Sequence, residues 1–156
     1  GAGEVWMVYD TRDRLALMQD ANMRNTKWVY TKYDNLNRPI ETGFLNNGAD
    51  RATFQGYADT YTNATNPDFP YSWWSCEMLT QTYYDNYNWV SATGTSLSST
   101  IDQTYTGNSN YFNTSYDTAP DFPVQISQAV NITGLATGTI TKILGTNQFF
   151  VFCTFL

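Results

Sequence analysis

The 156-residue sequence predicts an all-β fold of antiparallel hairpins, and three observations carry that expectation. Thr, Tyr, Trp and Phe are abundant, Leu, Glu and Lys are sparse, and Gly, Asn and Asp punctuate the chain every few residues. The first group suits a pleated surface and the last suits tight turns. Aromatic residues reach 17% against 14% for charged ones, so Thr, Asn, Ser and Gln must carry the solvent face. A tyrosine-aspartate motif also recurs along the chain, each time after an aromatic-rich run and before a second run.

The repeat is explicit when aligned. Val5 to Arg14 (VWMVYDTRDR) matches Val29 to Arg38 (VYTKYDNLNR) at a spacing of 24 residues, and a degenerate third copy follows at Tyr84-Asp85-Asn86-Tyr87-Asn88-Trp89. Asp at the head of such a turn accepts hydrogen bonds from N–H groups a few residues on. Asp13, Asn37 and Asn88 fall where a hairpin loop of this length calls for a left-handed residue, and Asp and Asn tolerate that region best after glycine. Tyr9 with Arg14, and Tyr33 with Arg38, are expected to pack across their own hairpins as aromatic-guanidinium pairs, a structural use of both arginines.

Further along, Asn47-Gly48 between the runs 39–45 and 51–57 reads as another hairpin. Pro67-Asp68-Phe69-Pro70 returns as Pro120-Asp121-Phe122-Pro123, and paired prolines mark an edge or a connection. The stretch 91–118, rich in Ser, Thr, Asn and Gly, is expected to be a long exposed loop or weak hairpin. The run Phe149-Phe150-Val151-Phe152-Cys153 reads as a strand buried on both faces. The chain is thus expected to be a single β-repeat region, 1–156. Within it, 1–70 holds the tyrosine-aspartate hairpins, 71–123 a degenerate repeat with the polar loop, and 124–156 C-terminal strands leading towards a further repeat.

These residues resemble the YD-repeat or RHS (rearrangement hot spot) proteins, whose signature is Tyr-Asp-x-x-Gly-Arg. Tyr9-Asp10 with Arg14, and Tyr33-Asp34 with Arg38, match it except at the glycine, where Asp13 and Asn37 stand. The flanking text, including Gly134 to Gly138 and Ile143 to Thr146, is similar to the variant found in Bacteroidetes-type bacteria. The resemblance implies a curved or spiralling antiparallel sheet forming a secreted or surface-displayed shell, often around a toxic region of the same polypeptide. The expected partners are neighbouring repeats or identical subunits, the latter because the apolar final strand is an open template for another strand.

Chemistry is scarce. The sequence has no His, which removes the usual general base, and with it any Ser-His or Cys-His arrangement. Cys76 and Cys153, without His, do not make a zinc site, and no glycine-rich phosphate loop is present, so neither a metal nor a cofactor is expected. Asp10, Asp34, Asp59, Asp68, Asp85 and Asp121 are candidates for paired catalytic carboxylates, but most sit where a turn calls for Asp. A net charge of −6 with only eight Lys and Arg argues against a nucleic-acid partner. No apolar run is long enough to span a membrane.

Two functional expectations follow. The first is a non-catalytic structural segment, wall or fibre material outside the cell, processed or cut from a longer chain. The alternative is a glycan-binding or adhesive module that stacks sugars on Trp73, Trp74 and Trp89.

Overall fold

The computed structural model describes residues 3–61, 69–70, 74–94, 96–106, 127–129 and 131–153. Seven antiparallel strands, hydrogen-bonded in sequence order, make the fold all-β: β1 (Trp6–Tyr9), β2 (Leu15–Gln19), β3 (Trp28–Tyr33), β4 (Pro39–Leu45), β5 (Cys76–Tyr84), β6 (Ala136–Lys142) and β7 (Phe149–Cys153). Among the described residues, three α-helices, α1 (Arg51–Tyr61), α2 (Trp89–Thr93) and α3 (Gln103–Thr106), and one 3-10 turn (Ala21–Met23) lie between them. No helix among the described residues is long and apolar enough to cross a membrane.

The chain divides into two compact units. The first, Gly1–Thr82 with Ile140–Phe150, holds β1 to β4, α1, most of β5 and the hairpin turn between β6 and β7. The second, Tyr83–Thr139 with Val151–Leu156, holds α2, α3 and the remaining strand ends. The units cut across the three stretches read from the sequence because the C-terminal hairpin returns to the unit of the N-terminal strands.

In the first unit the strands bury one face by alternation. Along β3, Trp28, Tyr30 and Lys32 are buried while the residues between them are only partly so, the period-two pattern of a half-buried strand. Trp28 and Tyr30 join Val8, Ala16, Leu17 and Leu45 in the core, and α1 adds Phe54 and Ala58, one turn apart on the same helix face. Indole and phenyl rings interlock there: Trp28 lies edge-on to Phe54 at 5.4 Å, and Trp6 stacks on Trp28 at 6.4 Å. Two polar members of this face share one partner. The Tyr30 hydroxyl donates to Glu41 at 2.7 Å, and Lys32 lies 3.6 Å from the same carboxylate.

Helix α1 replaces the hairpin expected around Asn47-Gly48. Asp50 caps it, its carboxylate accepting from the Thr53 N–H at 2.8 Å, which holds that exposed carboxyl below its ordinary range. Gly48 is required for a different reason than a hairpin turn. A Cβ there would run into the backbone of Asn25. Of the polar stretch 91–118, residues 91–93 complete α2 and 103–106 form α3, 96–102 between them are irregular, and 95 and 107–118 lie outside the described residues. The strand expected at 149–153 is present, but it is not buried on both faces: Phe149, Phe150 and Phe152 are 43%, 58% and 62% exposed.

Phe54 is almost fully buried, with its ring against both Trp28 and Trp74. Phe54→Ala is therefore expected to cost about 3–5 kcal/mol of stability, measured by denaturant unfolding. A loss under 1 kcal/mol would mean that α1 does not cover the sheet.

Candidate functional site: the interlocked Tyr-Asp corners

The two aligned motifs fold into the same corner. In the first, the Asp10 N–H donates to the Arg14 carbonyl at 3.0 Å and the Asp13 N–H to the Asp10 carbonyl at 3.0 Å. In the second, Asp34 to Arg38 and Asn37 to Asp34 repeat these bonds at 3.0 and 3.1 Å. One carboxylate oxygen of Asp10 accepts from the N–H groups of Arg12 and Arg14, at 2.9 and 3.0 Å. Asp34 does the same with Leu36 and Arg38, both at 2.9 Å. The second carboxylate oxygen takes the Nε–H of the arginine four residues on, at 2.7 Å for Arg14 and 2.6 Å for Arg38.

The fourth loop residue is left-handed in both corners, φ 57° at Asp13 and 64° at Asn37, as the residue types predict. Each corner also shifts the strand register by one residue beside its tyrosine, pairing Tyr9 with Leu15 and Tyr33 with Pro39.

What the sequence reading missed is that the first corner grips the second. Arg14 does not pack on Tyr9, its own tyrosine. Its guanidinium lies 4.7 Å above the ring of Tyr33, and its Nη1 donates to the Asp34 carbonyl at 3.2 Å and to Asn37 Oδ1 at 3.0 Å. Arg12 adds bonds to the Asn35 carbonyl and to Asn37 Oδ1, both 3.2 Å. Tyr33 answers by donating its hydroxyl to the Leu15 carbonyl at 3.1 Å. Burial and the nearby Asp10 carboxylate push the Tyr33 hydroxyl pKa up, against the opposing pull of Arg14. Asn37 thus serves twice, by taking positive φ and by accepting both arginines. No signal in the residue types singles out Asn37, since the Asp13 carboxylate is an equally able acceptor for a cation.

The third copy does not make this corner. Asn88 is right-handed, φ −62°, and the left-handed residue is Asp85, φ 62°. The Asp85 carboxylate accepts from the Gly134 N–H at 2.5 Å, and its own N–H donates to the Leu135 carbonyl at 3.1 Å. Tyr84 ends β5 rather than opening a hairpin, and the chain turns into α2. The cause lies in Trp89. Its ring is fully buried against Gly138, where any side chain would collide with the indole, and this anchoring draws residues 89–93 into a helical turn.

The residues proposed to stack glycans are placed unfavourably for that task. Trp89 is buried and offers no ring face to a sugar. Trp74 is half-buried, with Phe54, Tyr57 and Phe69 tilted or edge-on against it at 5.4 to 6.0 Å. Trp73 lies outside the described residues. Of the carboxylates considered for catalysis, Asp10, Asp34 and Asp85 hold turns, and Asp59 accepts from the Gln55 side chain at 2.8 Å. Asp68 and Asp121 lie outside the described residues. Compared with protein-family models, curated proteins and solved structures, the chain finds no match.

Two measurements test the corner. Asp13→Val is expected to lose about 1–2 kcal/mol, the cost of forcing a branched residue into the left-handed region. Asp13→Gly should stay within about 0.5 kcal/mol of the parent. The second is a pH dependence. Burial pushes the Asp34 carboxyl up, but the Arg38 N–H, the Arg38 guanidinium and the Leu36 N–H outweigh it and hold the carboxyl below its ordinary range. A folded-state pKa below the unfolded value of about 3.9 contributes stability that is complete above that value and is lost as pH falls through the folded one. Asp34→Asn should therefore be less stable than the parent at neutral pH, with the gap closing below about pH 4. A gap that persists unchanged into acid would show that the charge plays no part.

Proposed function

We propose that this chain is a non-catalytic structural segment built of Tyr-Asp hairpin repeats, part of a secreted or surface RHS-like protein, and that it serves as material of a shell wall or extracellular fibre. The observation that carries the reading is the grip of Arg12 and Arg14 on the next corner. A binding module needs a cleft and groups aimed into it, whereas these cations are spent on fixing one hairpin beside another. Such a rule can be repeated wherever a further corner follows: here the arginine of the first corner reaches the tyrosine, the carbonyl and the amide of the second. Stability then comes from contacts between successive units, the logic of repeat architectures.

The composition fits the role. A face of Thr, Asn and Ser with few charges suits a surface that packs against other material more than one that must remain dispersed. The spatial use of the carboxylates supports the non-catalytic part of the reading, since Asp10, Asp34 and Asp85 are engaged by backbone N–H groups.

An antibody raised against the folded chain tests this directly. Applied to fractionated producing cells and to negatively stained secreted material, it is expected to mark shells or fibres outside the cell. Label confined to soluble monomer in the cytoplasm would overturn the reading.

A further inference from the structure

The two outer strands of the sheet are finished differently. An outer strand carries a row of unpaired N–H and C=O groups, and proteins cover or blunt such edges against unwanted pairing. On β1 this is done by α1. Arg51 Nε donates to the Met7 carbonyl at 2.9 Å. The Gln55 carboxamide imitates a residue of a neighbouring strand: its oxygen accepts from the Tyr9 N–H at 3.2 Å, and its Nε2 donates to the Tyr9 carbonyl at 2.9 Å. Asp59 holds that same nitrogen at 2.8 Å. Arg51, Gln55 and Asp59 are one helical turn apart, so a single face of α1 closes the edge.

At the other end of the sheet order, β7 has none of the residue-level devices that blunt an edge. Phe149-Phe150-Val151-Phe152-Cys153 contains no charge, no Pro and no Gly, and its three phenylalanines are 43%, 58% and 62% exposed. The turn before it fixes which backbone groups face outward. The Ile143 N–H donates to the Gln148 carbonyl at 2.9 Å, so Gln148 faces β6. By antiparallel alternation Phe150 and Phe152 also direct their backbone groups to β6, while Phe149, Val151 and Cys153 direct theirs away.

We propose that β7 is a docking strand for β7 of a second copy of this chain, paired antiparallel about a two-fold axis at Val151. Three arguments select that occupant. The second copy's β1 is closed by its own α1. Seven alternating strands leave β1 and β7 running the same way, so a neighbouring β1 with the same face up would have to pair in parallel; β7 against β7 is antiparallel and keeps the faces aligned. Finally, an uncharged strand pairs with itself without setting like charges opposite each other.

With the axis at Val151, Phe149 stands opposite the partner's Cys153. Phe150 stands opposite the partner's Phe152, twice over on one face, as aromatic cross-strand pairs. Five residues bury less than the roughly 1,200 Å² of a stable interface, so the dimer is concentration-dependent. Because the contact is isologous and the β1 edge is closed, it stops at two copies. The inference goes beyond the structural-segment reading and does not rest on it.

Sedimentation equilibrium over a wide concentration range is expected to carry the parent chain from monomer to dimer. Phe152→Lys should weaken the dimer at least tenfold, whereas Leu144→Lys, at an exposed position in the β6–β7 turn, should leave it unchanged. A covalent readout is independent of any loss of stability in the lysine variant. On mild oxidation, the chain carrying Phe149→Cys with Cys76→Ser is expected to form a disulfide-linked dimer through Cys153 of its partner subunit, many-fold faster than the chain carrying Leu144→Cys with Cys76→Ser. A strictly monomeric parent, a dimer indifferent to Phe152→Lys, or equal cross-linking from both cysteine variants would each overturn the proposal.

Discussion

The order of the first four strands depends on what two carboxylates do. Asp10 and Asp34 each gather two backbone N–H groups and the Nε–H of an arginine around one side chain, which bends the chain back on itself in a fixed number of residues. Hydrogen bonds to an ionised acceptor are roughly twice as strong as neutral ones, so this is a firm hinge for a loop without glycine. Arg14 is held on Asp10 by both Nε and Nη2, which leaves its Nη1 to reach the next corner. Its guanidinium engages Tyr33, Asp34 and Asn37 there, and the second hairpin is thereby set against the first.

That setting determines what is buried. A strand exposes alternate residues to opposite faces, and a slip of one residue would turn its apolar set to solvent. The register shifts beside Tyr9 and Tyr33 occur at equivalent points of the two corners, leaving Val8, Leu17, Trp28 and Tyr30 on the face covered by α1. The helix then serves two ends at once. Phe54 and Ala58 fill the core, and Arg51 and Gln55 satisfy the backbone of β1. In the second unit a tryptophan over a glycine plays the organising part: Trp89 rests on Gly138, and Thr137 donates to the carbonyls of Tyr83 and Asn86.

The corners were legible in the sequence because their requirements are local. Positive φ restricts the residue type at a single position, and a carboxylate at the head of a turn needs only N–H groups within four residues. Both signals survive without knowledge of the rest of the chain, and Asp13 and Asn37 carried them. Asn88 presented the same residue type but a different outcome, since burial of Trp89, one position later, governs the backbone there. Helix α1 was obscured by Asn47-Gly48, a pair common in hairpins but used here so that the chain can pass close to Asn25. Asp50 as a cap, with Phe54 and Ala58 at helical spacing, was the competing pattern.

By itself, then, the sequence determined the all-β class, the two corners and their left-handed residues, all consequences of short-range sterics and of which side chains can reach a nearby N–H. Tertiary structure alone decided which tyrosine receives Arg14, that α1 stands in for a strand beside β1, that Trp74 and Trp89 are packed rather than presented, and that the phenylalanines of β7 face solvent. Each of these depends on what the fold brings alongside, and burial is a property of that neighbourhood. A hydrophobic run states only that a neighbour would be favourable, and the fold settles whether one is there.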